Sequence, residues 1–270
     1  MQKIPKKIHY VWFGNKSLPE SFHRYYQSWE KYCPDYEIIL WNEENFDLSL
    51  NSYVKKTFSH QKYAFLSDYV RLKVVYDQGG IYLDTDVELI KNLDDLLEFD
   101  GFMGFMQKDV IATGLGFGAS PKNKFIKHLM HHYETLAESA DFKFEKNTFK
   151  DSKILEKLGV KLDNSYQIID GFHFLPTEYL SPTYFDYTRN EFTKNTHSIH
   201  HYEVSWNTDY KLYQNRLKKL KKRYIKIFGK TLGEIFYRIH VLGIRLKKNV
   251  NNTGINNTMK KIIKKYSRRS

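Results

Sequence analysis

Residues 62–89 read KYAFLSDYVRLKVVYDQGGIYLDTDVEL. Up to Gln78 the pattern is helical, and Gly79-Gly80 is the kind of stop that ends a helix in the left-handed region. IYLD (81–84) then reads as a short strand whose carboxyl end carries Asp84, Thr85 and Asp86. In α/β sheets, ligands bind at the carboxyl ends of strands. Working outward, KIHYVWF (7–13) has the β-branched and aromatic content of a buried strand, and Gly14-Asn15 turns the chain. Pro19 suits the first turn of a helix running to about Tyr32, Pro34-Asp35 makes a second turn, and YEIILW (36–41) is another apolar strand. This β-α-β opening predicts an α/β fold with a parallel, nucleotide-type sheet. Further helices are expected over 121–139 and 149–158, with short strands and turns over 164–204 around Pro176 and Pro182.

The 270 residues suffice for a large buried core, and 41% hydrophobic with 27% charged content excludes a disordered chain. A single cysteine, Cys33, excludes a disulfide framework and any cysteine-rich zinc module. No run of 18 apolar residues occurs, and the opening MQKIPKKIHYVWFG does not resemble a signal peptide, so the expectation is a soluble-bodied protein of a reducing, cytoplasmic compartment. The net charge of +12 is unevenly spread. Of 43 basic and 31 acidic residues, 211–270 hold 19 and one (Glu234), leaving 24 and 30 for the rest. A mildly acidic body over 1–210 and a strongly basic tail over 211–270 are therefore expected to do different work.

Three constellations can carry chemistry. Asp84 and Asp86 stand two apart, so in extended chain their carboxylates share a face and can converge on a hard divalent cation; the bland alternative is a solvated acidic turn. Asp68 and Arg71 share a helix face at i, i+3, either as a plain salt bridge or as a carboxylate and a guanidinium fork aimed at hydroxyl and phosphate oxygens. In HHYEVSW (200–206), a histidine can complete the cation site and Trp206 can stack on a ring, although paired histidines are often surface groups. GLGFGA (114–119) formally matches a dinucleotide loop, but Pro121 intervenes before the next helix, so a glycine loop beside another substrate is expected. His128, His131 and His132 share a helix face without an acidic partner and are expected to face solvent.

Four segments taken together, IPKKIHYVWFGNKSLPE, SWEKYCPDYEIILWNEENFD, residues 62–89 and THSIHHYEVSW, resemble the DXD-containing sugar transferases of glycosyltransferase family 32 across about residues 4–206. The SD-x-x-R…GG-x-YLD-x-D stretch is also similar to the catalytic domain of the clostridial glucosylating toxins. The resemblance implies a GT-A fold, with a Rossmann-like mixed sheet, and a retaining transfer from a nucleotide sugar with Mn²⁺ or Mg²⁺ on the diphosphate. It implies that Trp12, beside Gly14, stacks on the base, that Tyr82 lines the donor pocket, and that Ser67, Asp68 and Arg71 hold the donor. Asp84 would contact ribose and sugar, directly or through a metal-bound water, with Asp86 as the main metal ligand. His200 or His201 is the next ligand, His201 preferred, and Trp206 lies near the leaving group. Asp68, Arg71, Asp84 and Trp206 form the implied catalytic set. Gly114 belongs to a donor loop that reads Asn-Gly in many relatives and Thr113-Gly114 here.

In the tail, Phe228, Leu232, Ile235, Phe236, Ile239, Leu242 and Leu246 recur at helical spacing, with Lys226, Lys230, Arg238 and Arg245 on the other face. A helix over 225–246 of that pattern fits the surface of an anionic membrane; a helix packed on the body is the alternative, and nucleic acid is not expected as a partner. The functional expectation is a glycosyltransferase on the inner face of the cell membrane, moving a hexose from a nucleotide sugar, UDP-linked before GDP-mannose, to a lipid-linked or oligosaccharide acceptor in capsule or lipopolysaccharide synthesis. Other classes in view are an inactive nucleotide-sugar or glycan binding protein and a dinucleotide oxidoreductase.

Overall fold

A computed structural model of the chain describes residues 2–14, 16–139, 142, 144, 148–184, 189–203 and 208–253. It divides into two compact units, 1–184 with 190–206, and 185–189 with 207–270.

The first unit is an α/β body. Its elements are β1 (Lys7–Val11), α1 (Glu20–Tyr32), β2 (Glu37–Trp41), α2 (Ser52–Ser59), α3 (Tyr63–Gln78), β3 (Gly80–Tyr82), β4 (Val87–Leu89), β5 (Gly101–Gln107), β6 (Val110–Ile111), β7 (Phe117–Ala119), α4 (Lys124–Glu138), α5 (Thr148–Lys157), β8 (Gln167–Ile169), β9 (Phe172–Leu175), α6 (Thr177–Leu180) and β10 (Ser198–His200). The main sheet runs β2-β1-β3-β7-β5-β9-β8, with β6 added to β5. β1 is parallel to β2 and β3, as the β-α-β opening predicts, and β5 is parallel to β9. β7 breaks the parallel run, pairing antiparallel with β3 and with β5. A separate two-stranded ribbon pairs β4 with β10 antiparallel.

Helix α3 buries Leu66, Tyr69, Val70, Leu72, Val74 and Val75, apolar on nearly every side as a helix inside a core must be. They pack with Tyr53 and Val54 of α2, Leu129 and Tyr133 of α4, and Phe105, Phe117 and Phe174 of the sheet. Each such side chain contributes about 1.5–3 kcal/mol on burial. Helix α3 ends where expected: Gly79 (φ +66°) and Gly80 (φ +102°) are both left-handed. A β-carbon on Gly80 would come within 2.9 Å of the His9 ring, so glycine also lets β3 lie close beside β1.

One expectation is corrected. Asp84–Asp86 is not extended: the Val87 N–H donates to the Asp84 carbonyl at 3.0 Å and closes a turn, so the strand period is not what brings the two carboxylates together. The 114–119 segment is a 3-10 turn (Thr113–Leu115) followed by strand β7, so it lacks the strand-turn-helix context of a dinucleotide site, which agrees with setting that reading aside.

The second unit is α7 (Thr208–Thr253), broken at Gly229 (φ +74°) into two arms. Tyr224 Oη lies 2.8 Å from His240 Nδ1, the Phe228 and Phe236 rings are 4.7 Å apart, and Lys221 pairs with Glu234 at 3.6 Å, so the arms lie antiparallel. Leu217, Tyr237 and Val241 are buried between them. The single helix expected over 225–246 is therefore a hairpin: glycine at 229 takes the positive φ of the reversal without strain, and Gly233, whose β-carbon would strike the Ile225 backbone at 2.6 Å, lets the arms close. Leu232, Ile235, Ile239 and Leu242 stay exposed, at 47–61%. Among the described residues no helix is long and apolar enough to cross a membrane.

Candidate active site

β1 and β3 lie side by side in parallel, with the Leu83 N–H donating to the His9 carbonyl, so Trp12 and Asp84 emerge at the same carboxyl edge of the sheet. The Asp84 turn feeds directly into β4. Because β10 pairs antiparallel with β4 and sets His200 opposite Val87, a histidine more than a hundred residues away arrives one position from Asp86. His200 Nε2 lies 3.3 Å from Asp86 Oδ1 and 3.7 Å from Asp84 Oδ2. Among the described residues this trio is the one cluster of carboxylates and imidazole whose ligand atoms all fall within 4.8 Å of one another.

The surrounding contacts hold the trio in place. The Tyr82 hydroxyl donates to Asp84 Oδ1 at 2.7 Å, and the backbone N–H of Glu203 donates to Asp86 Oδ2 at 2.8 Å. Glu203 in turn accepts from Tyr25 Oη at 2.7 Å, which ties the 198–203 segment to α1. Arg71 reaches in from α3: Nη2 is 3.1 Å from Asp68 and 3.3 Å from Asp84, Nε donates to the Ser67 carbonyl at 3.1 Å, and the guanidinium lies 4.9 Å over the Tyr82 ring. A guanidinium fixed on this many sides is pre-organised for a planar oxyanion.

The electrostatics follow from charge crowded into a dry place. Burial opposes ionisation of Asp84, but Arg71 and His200 outweigh it and hold the carboxyl below its ordinary value. Asp86 lacks the arginine and is pushed up, by burial and by Asp84. Burial alone would depress His200, and Asp86 and Asp84 raise it instead. Burial pushes Asp68 up to about 6 against the pull of Arg71. A site that is short of positive charge without a proton on its histidine is one that a divalent cation would satisfy, and two carboxylates with one imidazole suit Mn²⁺ or Mg²⁺.

Of the other residues singled out from the sequence, Trp12 is half-buried, its indole N–H donating to the Lys16 carbonyl at 2.7 Å. Gly14 is left-handed (φ +90°), and a β-carbon there would come within 2.7 Å of the Tyr63 ring. Ser67 spends its hydroxyl on the Ala64 carbonyl at 2.9 Å, so only its own carbonyl touches Arg71. Gly114 sits against the trio: a β-carbon would fall 2.4 Å from Asp84 Oδ2 and 3.2 Å from Arg71 Nη1. The expectation for His201 is corrected. Its ring turns away, Nε2 lying 2.8 Å from Glu88 and the ring stacking on Tyr25 at 4.6 Å; His201 follows the last residue of β10 in still-extended chain, where successive side chains point to opposite sides, and His200 takes the aspartate side. Trp206 lies outside the described residues. His128 and His131 are exposed on α4, as expected, whereas His132 is half-buried and does not face solvent as the others do.

The sequence reading passed over Asp151. Buried near the start of α5, it accepts from the Tyr133 hydroxyl at 3.3 Å through both oxygens, and burial with Asp68 nearby pushes it up to about 8. No spacing in FKDSKIL marks it, because its neighbours come from α3 and α4.

Residues 19–103 match the family described as the glycosyltransferase sugar-binding region containing the DXD motif. Inositol phosphoceramide mannosyltransferase 1 of Schizosaccharomyces pombe is 28% identical over 139 residues, covering 49% of this chain and 43% of that protein. Inositol phosphoceramide mannosyltransferase 3 of the same yeast is 34% identical over 104 residues, 37% of this chain and 29% of that protein. The chain thus spans less than half the length of these curated relatives. Among solved structures, the galactosyltransferase LgtC in complex with donor and acceptor sugar analogs aligns over 79% of this chain and 94% of its own, at 14% identity and a TM-score of 0.46. The PaToxG glycosyltransferase aligns over 60% of this chain and 76% of its own, at 17% identity and a TM-score of 0.41.

Proposed function

From the premise that this chain carries the sugar-binding region of DXD-containing glycosyltransferases, we propose that it transfers a hexose from a nucleoside diphosphate sugar to a glycan acceptor, with retention and with a divalent metal. The convergence of Asp84, Asp86 and His200 beside Arg71 carries this reading. Mn²⁺ or Mg²⁺ held by that trio would neutralise charge on the departing diphosphate. Arg71 keeps its proton throughout and offers a fixed positive charge to donor oxygens. Asp68, with one oxygen on Arg71, presents a carboxylate to sugar hydroxyls, and Tyr82 keeps Asp84 aimed at the same space. Trp12, at the same sheet edge, offers a ring face to the base. Trp206 is assigned to the leaving group on the resemblance alone. The acceptor hydroxyl loses its proton to the leaving phosphate, so the reading requires no protein nucleophile.

The donor is UDP-linked in this reading. The mannosyltransferase names of the yeast relatives support GDP-mannose as the second donor to test. The acceptor is a lipid-linked or oligosaccharide glycan of a surface polysaccharide, capsule or lipopolysaccharide. The body over 1–210 does the chemistry, and the tail over 211–270 rests on an anionic membrane at the inner face of the cell. Its excess of basic residues and the exposed Leu232, Ile235, Ile239 and Leu242 support that assignment.

The test is calorimetry with UDP-sugars and GDP-mannose, in Mn²⁺ and in EDTA, on wild type and Asp86→Ala. One donor that binds only with metal and is lost in Asp86→Ala supports the proposal. Absence of binding by every nucleotide sugar overturns it, and binding without turnover on any acceptor favours a binding protein.

A further inference from the structure

The way the two arms of α7 pack fixes the direction in which their other residues point. Leu217 of the first arm is buried against Tyr237 and Val241 of the second. Each residue turns the helix by about 100°, so the positions two before and two after an inward residue stand on its outer side. About Leu217 these are Asn215 and Lys219, joined by Lys222 and Lys226, all exposed. About Tyr237 they are Ile235 and Ile239, joined by Leu242, all exposed. Because the arms meet by their inner sides, the basic strip of the first and the apolar strip of the second face opposite ways.

A membrane under the apolar strip leaves the basic strip facing away from it. Two helices, each about 10 Å across, set the strips about 20 Å apart. That exceeds the Debye length of about 8 Å at physiological salt, so the first arm's lysines add little attraction to a surface on the far side. Lys230 and Arg238, exposed on the second arm, are cations left to meet it. The basic strip is nonetheless unfavourable to its own helix: Lys219 repels Lys222 at i, i+3 and Arg223 at i, i+4, and Lys222 repels Lys226. In the body, Lys6, Lys91, Lys122 and Lys124 each rest on an aspartate. In 211–270 the one acidic residue, Glu234, is taken by Lys221, and among the described residues no carboxylate pairs with Arg216, Lys219 or Lys222.

Asn215, Arg216, Lys218, Lys219 and Lys222 line an open cavity of about 360 Å³. Its cations call for an anionic group, and the Arg216 fork suits a carboxylate or a phosphate. The Asn215 amide offers donors and an acceptor, which fits hydroxyls beside that group. No aromatic residue stands at 215, 216, 219, 222, 223 or 226, so this face lacks the rings on which nucleic-acid bases stack. Resting on the acceptor reading above, we infer that the outer face of the first arm binds an acidic glycan through its carboxylate or phosphate groups. It holds the acceptor chain there while the apolar strip holds the membrane.

The full chain is titrated, without divalent metal, with hyaluronan, whose charges are carboxylates, with phosphomannan, whose charges are phosphates, with neutral dextran and with duplex DNA. Binding to phosphatidylcholine–phosphatidylglycerol vesicles is measured alongside. Expected is binding of one or both acidic glycans and not of dextran, the tighter of the two naming the anionic group. Lys219→Gln with Lys222→Gln should cost about tenfold in glycan affinity, the worth of two charge-assisted contacts, and change vesicle binding less than about threefold. Lys230→Gln with Arg238→Gln removes the same charge and should do the reverse, with helicity by circular dichroism as the check that both variants fold. An equal loss of glycan affinity in the two variants means diffuse charge and overturns the inference. So do dextran or duplex DNA bound as tightly as the acidic glycans, and so does binding of neither acidic glycan. Each of these leaves the transferase reading standing when a nucleotide sugar still binds with metal. A chain that binds acidic glycan through Lys219 and Lys222 but no nucleotide sugar overturns the transferase reading and, with it, the glycan's part as acceptor.

Discussion

Replacing Asp151 by asparagine should make the unliganded protein more stable at neutral pH. An aspartate in an unfolded chain titrates near 3.9, whereas burial raises Asp151 to about 8 in the folded protein. Between those values the folded state binds one proton more than the unfolded state, so the native aspartate loses stability as pH rises, at about 1.4 kcal/mol per unit. Relative to a non-ionising isostere the deficit is absent near pH 4 and reaches about 4 kcal/mol at pH 7. Asparagine keeps the volume and gives back only the weak bond from Tyr133, about 0.5–1.5 kcal/mol. The net gain of about 3 kcal/mol corresponds to a rise on the order of 10 °C for a body of this size. Thermal melts of wild type and Asp151→Asn at pH 5 and pH 7.5 read it directly: the two curves should lie close at pH 5 and apart at pH 7.5. A variant less stable than wild type at pH 7.5, or a difference equal at both values, refutes the reasoning.

Other outcomes follow from the same geometry. His200→Ala should weaken Mn²⁺ binding at least tenfold, whereas His201→Ala, which removes only the Glu88 and Tyr25 contacts, should change it less than about threefold; calorimetry on the two variants separates them. Because Asp86 and Asp84 raise His200, protons compete with the metal, so affinity should fall about tenfold per unit once the pH drops below a midpoint above 6.5; a midpoint below 6.5 contradicts the arrangement. Gly114→Ala should lower donor affinity, since its methyl would fall 2.4 Å from Asp84 Oδ2, and unchanged affinity would show that the turn is slack. In the full chain, Ile235→Glu with Ile239→Glu should abolish binding to vesicles containing anionic lipid while sparing donor binding; vesicle co-sedimentation tests it, and undiminished binding counts against the membrane assignment.

Much of the first unit was legible because its signals are local. The periodicity of 62–78, the glycine pair at 79–80 and the strand-helix-strand spacing of 7–41 act within a few residues, and the structure places elements there with ends shifted by a residue or two. β7 was not legible as an antiparallel interloper, because FGA carries no mark of its pairing partners. The tail misled for a related reason: its apolar spacing is genuine, but two faces are apolar, and one of them is used up between the arms once Gly229 reverses the chain.

The sequence by itself determined the acidic-body and basic-tail division, the opening parallel strands and the presence of two aspartates, an arginine and two adjacent histidines with the chemistry of a metal and anion site. Tertiary structure decided which of them meet. Asp84 and Asp86 converge through a turn and not a strand, and His200, not His201, faces them, because a β-ribbon shows alternate residues to opposite sides and pairing with β4 sets the register. Asp151 acquires its neighbours only when α5 is tied to β6 and set beside α3 and α4. Residue type carries chemistry and local conformation; distance between segments far apart in the chain belongs to the packed fold alone.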